Sequence, residues 1–195
     1  MSDKILVTGF GPFGEHVVNA SWKAVQLLPD EIDGINIIKE EIPVQYSQVE
    51  QKVPDLWRQH QPLLVIHVGV SQEAKVITIE QCAKRYGYDR CDVLGQKHPT
   101  GEACVSGQNC IFTGINVMDL CDKINKGGYV NACASTDAGR YLCEYIYYTS
   151  LNIDPSKVLF VHVPTLDNPY SAGELAQGLL NIIQFTLDQL FGNYQ

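Results

Sequence analysis

Two short segments of this sequence are almost continuously apolar, and each contains a single histidine. They are Leu63–Val70 (LLVIHVGV) and Val158–Val163 (VLFVHV). A strand that is apolar on both faces is typical of the centre of a parallel sheet that helices cover on both sides. The two segments therefore predict an α/β protein with two central, fully covered strands.

Shorter apolar runs alternate with amphipathic helical patterns along the rest of the chain. Further strands are predicted at Lys4–Thr8, Ile35–Ile42, Val76–Glu80 and Tyr129–Ala134. Helices are predicted at Ser21–Leu28, Ser47–His60, Asn116–Lys126, Gly139–Ser150 and Ser171–Leu190. The alternation implies a mainly parallel sheet with helices on both faces, and 195 residues are enough for one such domain. We therefore expect residues 1–195 to form a single domain.

The carboxyl ends of strands are where functional groups gather in such sheets. Five regions satisfy this rule: Gly9–Gly14, Val70–Ser71, Glu80, the segment around Cys143, and His162–Leu166. The stretch Lys84–Gly114 has few apolar residues at helical or strand spacing and is predicted to be rich in loops. We therefore expect a functional site at one edge of the sheet.

The charge balance limits the partners of this chain. Lys and Arg number 14 against 22 Asp and Glu, which gives a net charge of −8. A surface without a basic patch does not hold nucleic acid or an anionic membrane. No window approaches the 18 or so apolar residues that a membrane span requires, so we expect no nucleic-acid and no membrane partner.

The seven cysteines suggest neither a disulfide framework nor a metal site. None of them forms a C-x-x-C pair, and although His98 lies between Cys91 and Cys104, we expect no metal ligand and no cofactor. The first residues have too short an apolar core for a secretion signal, so a cytoplasmic location with reduced thiols is expected. Most of the cysteines should be small buried apolar residues, with one or two carrying chemistry.

The glycine-rich segment Gly9–Gly14 permits three interpretations. It matches G-x-G-x-x-G after a strand, which is a pattern of dinucleotide binding. Pro12 and Phe13 oppose this interpretation because they stand where a backbone must approach pyrophosphate closely. The alternatives are a tight loop with core aromatics, or a loop that presents Phe10 and Phe13 as walls of a small apolar pocket.

One cysteine and one histidine stand where a cysteine peptidase would need them. Cys143 follows a predicted strand near a helix start, where the helix dipole favours a thiolate. His162 ends an apolar strand just before a proline, whereas its rival, His67, lies further from its strand end. Such a peptidase also needs a polar group that orients the imidazole. Glu80 and Asp92 are the two candidates for that group.

The sequence resembles the pyroglutamyl-peptidase I family, also called pyrrolidone-carboxylate peptidases, and is most similar to its animal members. Six ordered segments carry the resemblance over essentially the whole chain. They are VTGFGPFGEHVVNASW at Val7–Trp22, EIPVQY at Glu41–Tyr46, LLVIHVGVS at Leu63–Ser71, VITIEQC at Val76–Cys82, DAGRYLCEYIYYTSL at Asp137–Leu151 and LFVHVP at Leu159–Pro164.

The resemblance implies a fold, an activity and a set of site residues. The fold is a three-layer α/β/α sandwich around a mainly parallel, mixed sheet. The activity is that of a cofactor-free cytosolic cysteine exopeptidase, an omega-peptidase that hydrolyses the bond after an N-terminal pyroglutamyl residue through a thioester acyl-enzyme. The resemblance implies Cys143 as nucleophile, His162 as general acid and base and Glu80 as the orienting carboxylate. The implied substrate-binding residues are Phe10, Phe13, Asn19, Tyr141 and Leu142.

The resemblance leaves several points open. Bacterial members carry an arginine thought to help hold the oxyanion, and Arg90 lies near the corresponding place in a loop of different length. Backbone N–H groups near Cys143 are the preferred oxyanion donors. An inactive relative that binds pyroglutamyl peptides stays an alternative, and both a monomer and a homo-oligomer are compatible with the sequence.

Overall fold

The structure is a computed structural model of the chain and describes residues 3–14 and 18–192. Its main sheet contains seven strands, numbered here along the chain. Their spatial order is β2 (Glu31–Ile32), β3 (Ile35–Ile42), β1 (Lys4–Phe10), β4 (Leu64–Val70), β9 (Val158–Val163), β5 (Ile77–Glu80) and β8 (Ala132–Ser135). The two apolar segments, β4 and β9, are neighbours at the centre, as predicted.

Helices cover both faces of this sheet. One face packs against α2 (Tyr46–His60) and α4 (Leu142–Leu151), and the other against α1 (Ala20–Gln26), α3 (Val117–Gly127) and α5 (Ala172–Phe191). Each face has its own buried apolar core, because successive residues of a strand point to opposite faces. The single α/β/α domain around a mixed, mainly parallel sheet is thereby confirmed. No helix of the described ranges is long and apolar enough to cross a membrane.

Strand direction differs across the sheet. The pairs β1–β3, β1–β4, β4–β9 and β5–β8 are parallel, whereas β5 runs antiparallel to β9. Glu80 therefore lies opposite Phe160 rather than at the edge where β9 ends. The expectation that Glu80 sits at a shared carboxyl edge is wrong, because periodicity along one strand does not fix its direction relative to the next.

Helix starts follow the capping chemistry of the sequence. Asn19 caps α1, Asn116 caps α3, and Ser171 with Glu174 forms a reciprocal capping box on α5. Each cap side chain accepts a backbone N–H that the first helical turn leaves without a partner. These boundaries agree with the sequence to within one or two residues.

The predicted helix at Gly139–Ser150 begins later than expected. Gly139 (φ 95°) and Arg140 (φ 48°) have left-handed backbone conformations, which a right-handed helix cannot contain. The helix α4 therefore begins at Leu142, and Cys143 is its second residue.

The two ends of the loop-rich stretch are joined by a small second sheet that periodicity did not predict. Strands β6 (Cys82–Lys84) and β7 (Cys110–Phe112) pair antiparallel. Strand β2, of two residues, was also missed, and β8 is shorter than the predicted Tyr129–Ala134. Segments of two to four residues are too short to show a period.

Candidate active site

A cavity of about 650 Å³ opens where α4 begins and β4 and β9 end. All eight residues predicted from the sequence line it: Phe10, Phe13, Asn19, Glu80, Tyr141, Leu142, Cys143 and His162. They come from the glycine-rich segment, from the N-cap of α1, from two antiparallel strands and from the start of α4. The cavity therefore joins regions that are far apart in the sequence.

Cys143 reaches the sheet through a gap that a glycine leaves. A Cβ atom added at Gly69 would lie 2.6 Å from the Cys143 Sγ and 2.8 Å from the Phe160 Cζ. Gly69 pairs with His162 across β4 and β9, so the missing side chain makes room for the thiol beside the histidine. An isolated glycine in an apolar strand indicates such a close approach, and this signal in the sequence was overlooked.

His162 lies between the thiol and a carboxylate. Its Nδ1 is 2.9 Å from the Glu80 Oε1, and Cys143 lies close enough to the ring to raise its pKa. Glu80 is opposite Phe160 and diagonal to His162, so the antiparallel register places both side chains on the face that α4 covers. The antiparallel pairing is thus what brings Glu80 to His162.

The surroundings of His162 strongly favour its charged form. Burial acts to lower the pKa of His162, but hydrogen bonding and charge interaction with Cys143, and then with Glu80, raise it to about 10. The second carboxylate oxygen of Glu80, Oε2, is buried with no hydrogen-bond partner among the described residues. An imidazolium between a sulfur and a carboxylate is suited to moving a proton to and from a reacting group.

Aromatic and aliphatic side chains form one wall of the cavity. Phe10 and Phe13 come from the glycine-rich loop, and Val44, Tyr141 and Leu142 complete this apolar part. The helix α1 begins only at Ala20, so the loop does not lead directly into a helix N-terminus as a dinucleotide site requires. The geometry favours the apolar pocket among the three interpretations of this loop.

Asn19 is buried and holds this loop in place. Its Nδ2 donates to the Gly11 carbonyl at 2.9 Å, and its Oδ1 accepts from the backbone N–H and the hydroxyl of Ser21. The Ser21 hydroxyl in turn accepts the Phe10 N–H at 3.0 Å. An amide group has two N–H donors, so one donor of Asn19 is not accounted for by these bonds.

His67, the rival of His162, and Asp92, the rival of Glu80, do not line the cavity. Both make hydrogen bonds elsewhere in the fold. His67 is fully buried between the hydroxyls of Thr8 and Ser150, each 2.7 Å from one ring nitrogen. Asp92 accepts the backbone N–H groups of Leu94 and Gln96, which shapes its own loop.

Arg90 lines the cavity near Tyr141. Its guanidinium carbon lies 4.4 Å from the centre of the Tyr141 ring, a cation–π contact. The hydroxyls of Tyr46 and Tyr141 donate to the carbonyls of Arg90 and Cys91, which fastens this loop against α2 and α4. The stretch Lys84–Gly114, which the sequence predicts to be rich in loops, thus contributes Arg90 to the cavity lining.

The cysteines are all free, but fewer of them are buried than expected. Cys82 and Cys121 are buried, Cys91 and Cys133 are exposed, and the other three are intermediate. Within residues 3–14 and 18–192, no group of three or more His, Cys, Asp or Glu side chains could hold a metal ion.

Comparisons with known proteins identify the family of this chain. A family model described as pyroglutamyl peptidase matches residues 3–176. Pyroglutamyl-peptidase 1 of Homo sapiens is 43% identical over 194 residues, which cover 95% of this chain and 90% of the relative. The crystal structure of pyroglutamyl peptidase I from Bacillus amyloliquefaciens superposes with a TM-score of 0.83 at 25% identity, covering 95% of this chain and 96% of that one.

A more distant sequence has the same fold. A mutant pyrrolidone carboxyl peptidase from the hyperthermophile Pyrococcus furiosus superposes with a TM-score of 0.89 at 24% identity, over 96% of this chain and all 100% of that chain. The match to the family model and the 43% identity to the human relative extend over nearly the whole sequence. The chain therefore belongs to the pyroglutamyl peptidase I family, the cysteine peptidases that remove pyroglutamate from the N-terminus of peptides.

Proposed function

We propose that Cys143 is the nucleophile of this pyroglutamyl peptidase, that His162 is its general acid and base, and that Glu80 orients His162. The observation that carries the proposal is the position of His162. Its ring is 2.9 Å from the Glu80 carboxylate, and it lines the same cavity as Cys143, close enough for the thiol to raise its pKa. Nucleophile, base and orienting group in this order are what thiol-based acyl transfer requires.

The reaction then proceeds in two halves. The Cys143 thiolate attacks the carbonyl carbon that joins pyroglutamate to the next residue, and the carbonyl oxygen becomes an oxyanion. His162 donates its proton to the departing nitrogen, the C–N bond breaks, and a thioester with Cys143 remains. A water molecule then gives a proton to His162 and attacks the thioester, which releases pyroglutamate and restores the thiolate.

The apolar wall of the cavity suits the lactam ring. Pyroglutamate has no N-terminal ammonium group, so its ring can lie against Phe10, Phe13 and Leu142 without burying a charge. An ordinary N-terminal residue would bring an ammonium group into the same place, at a desolvation cost of several kcal/mol. Asn19 has one N–H donor left for a substrate carbonyl. The substrates are therefore proposed to be peptides that begin with pyroglutamate.

The free cysteines support a cytoplasmic location. All seven thiols are unpaired, and two of them, Cys91 and Cys133, are exposed. Thiols persist in this state in reducing compartments.

The net charge of −8 provides no general attraction for nucleic acid, which leaves small blocked peptides as the proposed partners.

Replacing the nucleophile tests the proposal directly. Cys143→Ser exchanges one atom in the cavity, and the matched control Cys91→Ser makes the same exchange at an exposed thiol that does not line the cavity. We expect Cys143→Ser to lose pyroglutamyl-amide hydrolysis by about 10⁴-fold or more and the control to keep it. Equal melting temperatures would show that both variants fold, and full activity of Cys143→Ser would refute the assignment.

A further inference from the structure

We propose that Glu144 is a positioning residue for the oxyanion of this reaction, acting through the backbone turn that precedes α4. The inference rests on the proposed function, because it assigns to Glu144 the task of presenting N–H groups beside the Cys143 sulfur. Glu144 does not line the cavity, so its influence passes through the backbone.

Glu144 is a fully buried carboxylate whose oxygens are both hydrogen-bonded. Its Oε1 accepts the Lys84 N–H at 3.0 Å. Its Oε2 accepts the Arg140 backbone N–H at 2.6 Å and the Arg140 Nη1 at 3.3 Å. A charge that is buried to this extent is stable only with such partners. The carboxylate thus joins strand β6 to the residue before the N-cap of α4.

The turn that Glu144 holds is conformationally unfavourable by itself. Arg140 has a left-handed backbone with φ of 48°, which is unfavourable for a residue other than glycine. Its guanidinium is paired with Glu144 and Asp137, and its side chain packs against Gly87. A side chain at Gly87 would collide with it, because a Cβ there would be 2.9 Å from the Arg140 Cδ. The surrounding contacts therefore fix the turn.

The turn leaves the N-terminus of α4 open to a ligand. An ordinary N-cap side chain would accept an N–H group of the first helical turn, but the N-cap of α4 is Tyr141, whose side chain makes no capping hydrogen bond. Glu144 is the third residue of the helix, and it reaches back past Tyr141 to the Arg140 N–H. In a capping box, the side chain of the third helical residue accepts the N–H of the N-cap, whereas Glu144 accepts the N–H of the residue before the N-cap. It holds the helix start without using the N–H groups of Leu142 and Cys143.

These two N–H groups belong to residues that line the cavity, next to the attacking sulfur. Backbone N–H groups at a helix N-terminus favour negative charge, and fixed donors stabilise an oxyanion more than a neutral carbonyl. Arg140 also offsets the charge of Glu144, which would otherwise repel the oxyanion. Loosening the turn should therefore weaken binding of the transition state and leave binding of the lactam ring unchanged.

Glu144→Gln tests this inference because it keeps the size of the side chain and directs an NH₂ group at one of the donors. We expect kcat to fall by about 10- to 100-fold, with KM changed by less than about 3-fold, since a donor is displaced rather than removed. Two inhibitors separate the steps. The Cys143 thiolate adds to the carbonyl carbon of the aldehyde analogue of pyroglutamate, and the carbonyl oxygen becomes an oxyanion. In contrast, 2-pyrrolidone only fills the ring pocket. The variant should bind the aldehyde more weakly, in proportion to kcat, and bind 2-pyrrolidone as the wild type does.

Matched variants make the result decisive. Glu102→Gln makes the same exchange in a carboxylate that pairs with Arg85 and does not line the cavity, and it should leave kcat and the binding of both inhibitors unchanged. If Glu144→Gln does not fold, Arg140→Ala and Arg140→Gly replace it. Both lose the guanidinium, but glycine adopts the left-handed turn without strain, so the alanine variant should lose more kcat.

Three outcomes would overturn the inference: unchanged kcat in Glu144→Gln, equal weakening of both inhibitors, or equal kcat in the two Arg140 variants. Failure of the proposed function is a different result. In that case Cys143→Ser would stay active, whatever the Glu144 variant does.

Discussion

The two histidines of the central strands lie on the same face of the sheet and have opposite properties. His67 in β4 pairs with Phe160 of β9, and His162 is two residues further along β9. Burial acts on both rings, with 0% of His67 and 9% of His162 exposed. Burial lowers the pKa of His67 to about 3, whereas the pKa of His162 is raised to about 10.

The difference comes from the partners of each ring. Thr8 and Ser150 offer His67 two neutral hydroxyls, which supply no charge that would stabilise an imidazolium. Glu80 and Cys143 offer His162 a carboxylate and a sulfur. A charged partner within hydrogen-bond distance favours the charged form by more than burial opposes it. One histidine is therefore a neutral structural link, and the other can carry a proton during the reaction.

Of the changes that test this comparison, replacing His162 should lower the activity most. His162→Asn keeps a polar side chain of similar size but cannot exchange protons near neutral pH. We expect kcat to fall by about 10²- to 10⁴-fold, the contribution of a positioned general acid or base. Steady-state hydrolysis of a pyroglutamyl amide measures the loss. A rate within 3-fold of the wild type would mean that another group carries the proton.

The same comparison shows what the sequence could and could not supply. Both histidines stand in apolar strands, and only the nearness of His162 to Pro164 separated them before the family resemblance was considered. The resemblance rests on side-chain identities along the whole chain, so it predicted the fold and eight of the residues that line the cavity. Strand direction is different, because it is a property of a pair of strands. No periodicity within Ile77–Glu80 could show that β5 runs against β9.

Glu144 was missed for a related reason. A glutamate beside an apolar helical pattern is usually solvated, and its burial here depends on the docking of β6, a strand too short to be recognised. The hairpin between β2 and β3 was missed although Asp33 and Gly34 carry its signal. Both have positive φ, 49° and 80°, as a two-residue hairpin turn of Asp-Gly requires. Local signals were thus present for the turn and for Gly69 but not for Glu144.

Glu80→Gln should sharpen the contrast by making the surroundings of His162 more like those of His67. The amide keeps a hydrogen bond to the ring but no longer supplies a negative charge, so the pKa of His162 should fall. The raised pKa keeps the imidazolium present up to high pH in the wild type. The basic limb of the kcat/KM profile should therefore move down by about 1–3 pH units in the variant. An unmoved basic limb would show that Cys143 alone controls the charge of His162.

The smallest effect concerns His67 and appears in stability rather than in activity. A histidine whose pKa is lowered by folding is neutral in the native state and charged in the unfolded state below about pH 6.5. The unfolded state then binds one more proton, so the free energy of unfolding falls as the pH decreases from about 6.5 towards about 3. The slope due to this one group is about 1.4 kcal/mol per pH unit. Urea denaturation at several pH values measures the free energy of unfolding of the wild type and of His67→Leu. The difference between their slopes with pH is the contribution of His67.

Thr8→Val is the matched control for this measurement. It removes the hydroxyl that contacts the His67 Nδ1 and leaves the titrating ring in place. It should lower the free energy of unfolding by about 1 kcal/mol near neutral pH and retain the acid slope, whereas His67→Leu should lose that slope. Neither change should alter kcat, because His67 does not line the cavity. An identical slope in the wild type and in His67→Leu would mean that His67 is protonated inside the fold, and the contrast with His162 would then rest on access to the substrate rather than on charge.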